Sequence, residues 1–133
     1  LDVIAKDIRI LNPDYFEITK DKKDQALLRD GENEVEIFGN LVADTKTAPT
    51  DTLIVTGRIA VNERYLDRND QWQERTHFID IEAFDEAALA LENAKKGQGF
   101  YVRGPLVTNN YKNKQGEWRS NTFVKALTAY QGY

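Results

Sequence analysis

The residues able to do covalent chemistry are few. Among 133 residues there is no cysteine, one histidine (His77) and one serine (Ser120). Thiolate nucleophiles, thiolate metal sites and disulfides are therefore excluded, and a serine triad would have to be built from that one pair. No Gly-x-x-x-x-Gly-Lys phosphate loop occurs. The carboxylates Asp80, Glu82, Asp85 and Glu86 raise a metal-dependent nuclease as one reading. Strand alternation unites only Asp80 and Glu82, however, and the other two fit a helix start. No catalytic residue, cofactor or metal is expected, and a lone His77 suits a core or interface position better than a ligand. The unusual feature is aromatic. In Thr76–Phe84, a period of two sets His77, Ile79, Ile81 and Ala83 on one face and Phe78, Asp80, Glu82 and Phe84 on the other. Two rings on the polar face want a flat partner that comes and goes, and an unpaired nucleobase is one.

The elements that would hold those rings can be read in order. Residues 1–11 alternate and read as a strand, and 12–33 are linker-like, with a Lys/Asp-rich cluster from Lys20 to Asp24. From Glu34 the pattern is regular. Val35, Ile37, Gly39 and Leu41 mark one strand. Leu53–Tyr65 is a long one whose Gly57 suggests a bend, and Gln73–Phe84 returns after the polar tip Asp67–Gln71. Asp85 caps a helix over Glu86–Lys96, with Ala87, Leu91 and Ala94 inward and Gly97 as its stop. Phe100–Val107 and Asn121–Tyr130 complete the set, around a second polar tip, Lys112–Gly116. Five strands with a helix between the third and fourth is the order of an OB-fold, an all-β five-stranded Greek-key barrel with long β-hairpins. A β-sandwich would not need the helix there.

Composition narrows the partners. A net charge of −4 and pI near 5.1 do not suit a generic polyanion binder. Residues 51–133 nevertheless balance, with 11 residues of each sign, and Lys112, Lys114, Arg119 and Lys125 face only Glu117 in the last stretch. Arg58 and Arg64 share a strand face and Lys112 and Arg119 flank Tyr111, which makes these four candidate phosphate contacts. Trp72 and Trp118 lie in the hairpins, with packing as the first role and base stacking as the second. No run of about 18 apolar residues occurs and no signal-peptide pattern is present. The chain opens on Leu1 and holds no methionine, so it is read as part of a longer or processed chain.

Several motifs together carry a resemblance. They are Asn33-x-Val35-x-Ile37-x-Gly39-Asn40-Leu41, Ile59-Ala60-Val61-Asn62-x-x-Tyr65, Thr76-x-Phe78 with Phe84, Lys96-Gly97, Val102-x-Gly104-x-Leu106, Tyr111-x-x-x-x-Gly116-x-x-Arg119 and Thr122-x-Val124. Residues 33–130 so resemble bacterial single-stranded DNA-binding proteins of the OB-fold type, and look closest to the second domain of the two-OB-fold proteins of the Deinococcus–Thermus kind. Val3-Ile4-Ala5-Lys6 echoes Phe123-Val124-Lys125-Ala126, so residues 1–11 resemble the last strand of a preceding OB domain, with 12–33 as linker and 34–133 as the binding domain. The resemblance implies base stacking on Tyr65, Phe78, Phe84 and Tyr111, and basic contacts at Arg68, Lys95 and Lys96. Three family basic positions are Val107, Asn109 and Asn110 here, and a fourth is Asp80. The implied function is sequence-tolerant protection of single-stranded DNA in replication, recombination and repair, in the cytoplasm. The implied partners are single-stranded DNA, a second copy (a homodimer of two-OB chains, or an oligomer of the fragment), and replication and repair proteins through an acidic C-terminal tail absent from this sequence. An OB-fold oligomerisation module with little DNA binding of its own is the alternative.

Overall fold

The computed structural model describes residues 3–28 and 31–132. The chain divides into two compact units, Leu1–Asn33 and Glu34–Tyr133. The smaller holds one 3-10 turn, Pro13–Tyr15, and a hairpin of β1 (Ile18–Lys20) with β2 (Ala26–Leu28). Residues 3–12 join no ladder among the described residues, so the strand expected over 1–11 does not form there. Alternation alone makes no strand, because its backbone groups need a neighbour's. Part of the segment expected as linker is instead this hairpin. Its Lys/Asp cluster is the turn: Asp21 Oδ1 accepts the N–H groups of Lys23 and Gln25 at 2.8 and 3.0 Å, and Asp24 takes φ 62°.

The same turn recurs twice in the larger unit. Asp67 Oδ1 accepts from the N–H groups of Asn69 and Gln71 at 2.8 and 3.0 Å, with Asp70 at φ 57°. Asn113 Oδ1 accepts from Gln115 and Glu117, both at 2.9 Å, with Gly116 at φ 78°. A short side-chain acceptor at the first position and a left-handed residue at the fourth close each five-residue connection.

The larger unit contains β3 (Val35–Leu41), β4 (Lys46–Thr47), β5 (Ile54–Leu66), β6 (Trp72–Phe84), α1 (Asp85–Leu91), β7 (Gly99–Gly104), β8 (Leu106–Lys112), β9 (Trp118–Ala126) and β10 (Thr128–Gln131). They form one sheet in the order β10-β7-β3-β5-β6-β9-β8, with β4 on β5. This is the mostly β OB-fold with one helix that the element order predicts, with two strands broken. The fourth expected strand is interrupted at Pro105 and the fifth at Leu127. Across this double corner the Lys125 N–H donates to the Pro105 carbonyl at 2.9 Å and the Leu127 N–H to the Arg103 carbonyl at 3.0 Å. The barrel shuts here, and only a bare backbone fits: a Cβ on Gly104 would lie 1.8 Å from the Lys125 carbonyl oxygen. Gly39 is similarly constrained, with 2.3 Å to the Ala60 carbonyl oxygen. At Gly57, where sequence suggested a bend, β5 changes its second neighbour, from β4 at Val55 and Thr56 to β3 at Ile59 and Ala60. The β5–β6 ladder runs unbroken through Gly57, from Ile54↔Phe84 to Leu66↔Trp72.

Alternating positions fill the core as expected: Ile37, Leu41, Val55, Ile59, Ile81, Phe100, Val102 and Val124 are buried. The helix is shorter than the expected Glu86–Lys96. It begins at Asp85, which has φ 51° and makes no side-chain cap, and it ends at Leu91, with Asn93 left-handed at φ 60°. Ala87, Leu91 and Ala94 still point inward, because Ala94 returns through the turn. Gly97, at φ 90°, lies beyond the helix and donates its N–H to the Leu41 carbonyl at 2.8 Å. His77 is not in the core. The barrel interior stops near Ile79, and His77 sits exposed on the projecting hairpin.

Gly104→Ala is expected to cost about 3 kcal/mol or more in urea unfolding, since the added methyl must displace backbone. Gly31→Ala, whose Cβ meets nothing within 4 Å, is expected to stay within about 0.5 kcal/mol. Equal effects would contradict closure at Gly104.

Candidate nucleic-acid interface

Register decides which side chains share a surface. Pairing Ala60↔Phe78, Arg58↔Asp80, Thr56↔Glu82 and Ile54↔Phe84 sets these residues on one face of β5–β6. The parallel pairing of β6 with β9 adds Lys125 beside Glu82. Through β8–β9, the same face continues over Phe123, Asn121 and Arg119 to Tyr111, which pairs with Arg119. Phe78 is 61% exposed and Tyr111 46%, whereas Phe84 is half-buried. The two phenylalanines stand six positions apart, roughly 20 Å along a strand.

A groove of 390 Å³ runs over this face. Its floor includes Thr56, Arg58, Asp80, Glu82, Asn121 and Phe123, and residues 42–44 with Lys46 form its wall. The wall is fastened to the end of the helix. Thr45 donates its hydroxyl to the Leu91 carbonyl at 2.7 Å and its N–H to the Ala94 carbonyl at 3.0 Å, tying the wall to the last helical residue and the turn that follows it. Ala48 N–H to the Ile54 carbonyl, at 2.9 Å, closes the loop onto β5.

Of the expected aromatics, Phe78, Phe84 and Tyr111 share the face and Tyr65 does not. With no bulge in β5, Tyr65 keeps the parity of Val61, is half-buried, and has the Arg75 guanidinium over its ring at 4.7 Å. Trp72 has the parity of Phe78, is 62% exposed and carries Arg64 at 5.1 Å from its ring centre. Trp118 carries Lys112 at 5.1 Å, so both tryptophans pack against hairpin cations. His77 Nε2 lies 2.8 Å from Glu63 Oε2, which also accepts from Arg75 Nε at 2.8 Å.

Most expected phosphate contacts are engaged within the chain. Arg58 holds Asp80 through Nε at 2.7 Å and Nη2 at 3.4 Å, and this pairing raises the Arg58 pKa. Arg64 lies 3.6 Å from Glu74 and Lys95 3.4 Å from Asp44, and Arg119 pairs with Glu117. Arg68, on the first hairpin tip, and the Lys96 ammonium make no ion pair among the described residues. These pairs are exposed and each holds its cation weakly. Lys125 is the basic residue that sequence reasoning missed. Its Nζ stands 5.1 Å from the Phe84 ring centre, a placement that follows from a parallel pairing with no local sequence signal. Asp85 and Glu86 are exposed at the helix start, and among the described residues no three carboxylate or imidazole groups converge on a metal-sized site. No helix there is long and apolar enough to cross a membrane.

Comparison with known proteins gives one consistent result. The family model described as "Single-strand binding protein family" matches residues 32–130. A single-stranded DNA-binding protein of Thermus aquaticus is 38% identical over 113 residues, covering 84% of this chain and 42% of the relative. One from Deinococcus radiodurans is 34% identical over 96 residues, covering 71% of this chain and 32% of the relative. The chain thus spans less than half the length of these relatives. Among solved structures, a Plasmodium falciparum single-stranded DNA-binding protein in complex with single-stranded DNA aligns with TM-score 0.68 at 19% identity, over 79% of this chain and 97% of its own. A deletion mutant of the Thermus aquaticus protein aligns with TM-score 0.67 at 21% identity, over 76% of this chain and 50% of its own. These two likenesses establish the fold.

The groove wall carries a pH signature. Asp44 Oδ1 accepts the Lys96 N–H at 2.9 Å, and that bond, with help from the nearby Lys95 charge, lowers its pKa below 3.8. A depressed carboxylate pKa stabilises the fold above its unfolded value, and the contribution is lost as pH falls through the folded one. In an NMR titration the Asp44 carboxyl is expected to turn over below pH 3.8, with the Lys96 amide shift following it. A midpoint at or above that value would contradict the contact.

Proposed function

The chain belongs to the single-strand binding protein family, and on that premise we propose that its Glu34–Tyr133 unit binds single-stranded DNA along the β5–β6–β9 face. Phe78, Phe84 and Tyr111 stack on bases, and cations at the groove margin hold the backbone. Stacking accepts every base, because each has a π-face. Membership of this family places the chain among binding proteins rather than enzymes. The observation that carries the reading is the pair of rings on β6, both on the outward strand face that also presents the groove-lining Asp80 and Glu82. Protection of exposed single strands in replication, recombination and repair is the role that follows. Arg68, Lys96 and Lys125 steer the phosphates first. Arg58, Arg64, Lys95 and Arg119 join by exchanging a carboxylate for a phosphate, and Lys112 by leaving Trp118. Tyr65 contributes from the other side of the hairpin, where a strand leaving the groove would pass.

A second reading rests on a separate patch. Phe38 is 53% exposed and Tyr130 65%. Their register partner Tyr101 lies between them, with the Tyr101 and Tyr130 rings stacked at 6.1 Å. This patch lies on the β3–β7–β10 part of the sheet and suits self-association. The solution mass of the chain, with and without Tyr130→Asp, tests it: an oligomer lost in the variant supports the reading and a monomeric wild type opposes it.

DNA binding is measured by quenching of Trp72 and Trp118 emission on titration with oligo-dT. Phe84→Ala and Phe78→Ala are each expected to weaken binding by about 1–3 kcal/mol, and Tyr65→Ala by less. Affinity is expected to fall with added salt, with a log–log slope of about −0.7 for each phosphate contacted. Phenylalanine variants that bind within about 0.3 kcal/mol of wild type would overturn the stacking role, given an expected loss several times larger.

A further inference from the structure

The groove floor between Phe78 and Phe84 holds two carboxylates in different states. Asp80 is occupied by Arg58, through two nitrogens. Glu82 is half-buried, lines the groove, and makes no hydrogen bond or ion pair with any described residue. The nearest cation by register is Lys125, whose ammonium stands over the Phe84 ring. Asn121 lines the same groove, and its side-chain amide likewise makes no hydrogen bond among the described residues. An ionised carboxylate can only accept hydrogen bonds, and it repels phosphate. It therefore adds nothing to backbone binding, but it can distinguish the edges of bases that rings on its own strand hold in place.

We propose that Glu82 makes this groove selective for cytosine over thymine at the position between Phe78 and Phe84. The inference rests on the binding mode proposed above. The two pyrimidines are close in size, so stacking treats them nearly alike. They differ where an unpaired base exposes its pairing edge. Cytosine offers an N4 amino group as donor, whereas thymine presents its O4 acceptor at that place. Glu82 accepts from N4, a charge-assisted bond that is stronger than a neutral one. The Asn121 amide donates to the acceptors N3 and O2 on the same edge. Thymine has only its N3–H to offer the carboxylate, and that contact brings O4 beside the carboxylate and leaves the Asn121 amide without the N3 acceptor, so it is the weaker one.

The test is fluorescence titration of the whole chain at neutral pH and fixed salt, using oligo-dC, oligo-dT and oligo-dC methylated twice at N4. Wild type is compared with Glu82→Gln and Glu82→Val, each checked for an unchanged thermal unfolding midpoint. The dT/dC ratio of dissociation constants is expected to fall about fivefold in both variants, the size of one good charge-assisted contact. Wild type is expected to lose the same factor on dimethylated dC, and the variants to lose none of it. If wild type binds all the oligonucleotides and neither substitution nor methylation moves the ratio, the selectivity is refuted while the binding mode stands. If no oligonucleotide binds, the binding mode fails and this inference with it.

Discussion

Everything in the larger unit depends on the backbone approach at Gly104. The chain passes from β7 into β8 at Pro105 and from β9 into β10 at Leu127, and these two corners hydrogen-bond to each other. That contact holds the Lys125 carbonyl oxygen where any side chain at residue 104 would stand. Closure there brings β9 parallel to β6 with Glu82 opposite Lys125. Without it, β6 would be an open sheet edge, with Phe84 lacking its cation and the groove lacking Asn121 and Phe123. Gly39 serves the same purpose on the other side, letting β3 cross the Ala60 carbonyl oxygen. Two missing side chains therefore position a site whose own residues lie elsewhere.

On that floor, charge is largely satisfied from within. Where relatives of this family type are expected to carry a cation, the chain has Asp80, and Asp80 holds Arg58. Lys95 leans on Asp44, Arg64 on Glu74 and Arg119 on Glu117. Each pair is exposed, so each is weak and screened by salt, yet together they leave little unopposed positive charge around the rings. In the binding mode proposed above, aromatic stacking would therefore supply more of the binding than in a strongly basic groove.

Local rules made part of this legible. The outward parity of Phe78 and Phe84 follows from alternation within one strand, and the register agrees with it. Alternation from Val61 puts Tyr65 on the core side, and with no bulge in β5 it stays there. Non-local facts were not legible. Pro105 and Leu127 divide strands that look continuous by pattern, and the partnership of Lys125 with Phe84 requires the parallel β6–β9 register. The hairpin at residues 18–28 was hidden by composition, although its Asp21-x-x-Asp24-Gln25 turn repeats the spacing of Asp67-x-x-Asp70-Gln71. Polar clusters read as linker until the side-chain acceptor at the first position is recognised. The helix was overlong in sequence because Ala94 keeps the inward phase after Asn93 has ended the coil.

The central claim is that bases seat on the β5–β6–β9 face rather than on the other exposed aromatic patch of the same sheet. Backbone and aromatic NMR shifts of the chain, followed through a titration with oligo-dT, test it most directly. Perturbations are expected to cluster at Phe78, Phe84, Tyr111 and Lys125, leaving Phe38, Tyr101 and Tyr130 unmoved. Shifts confined to those last three residues, with the rings of β6 unchanged, would contradict the account.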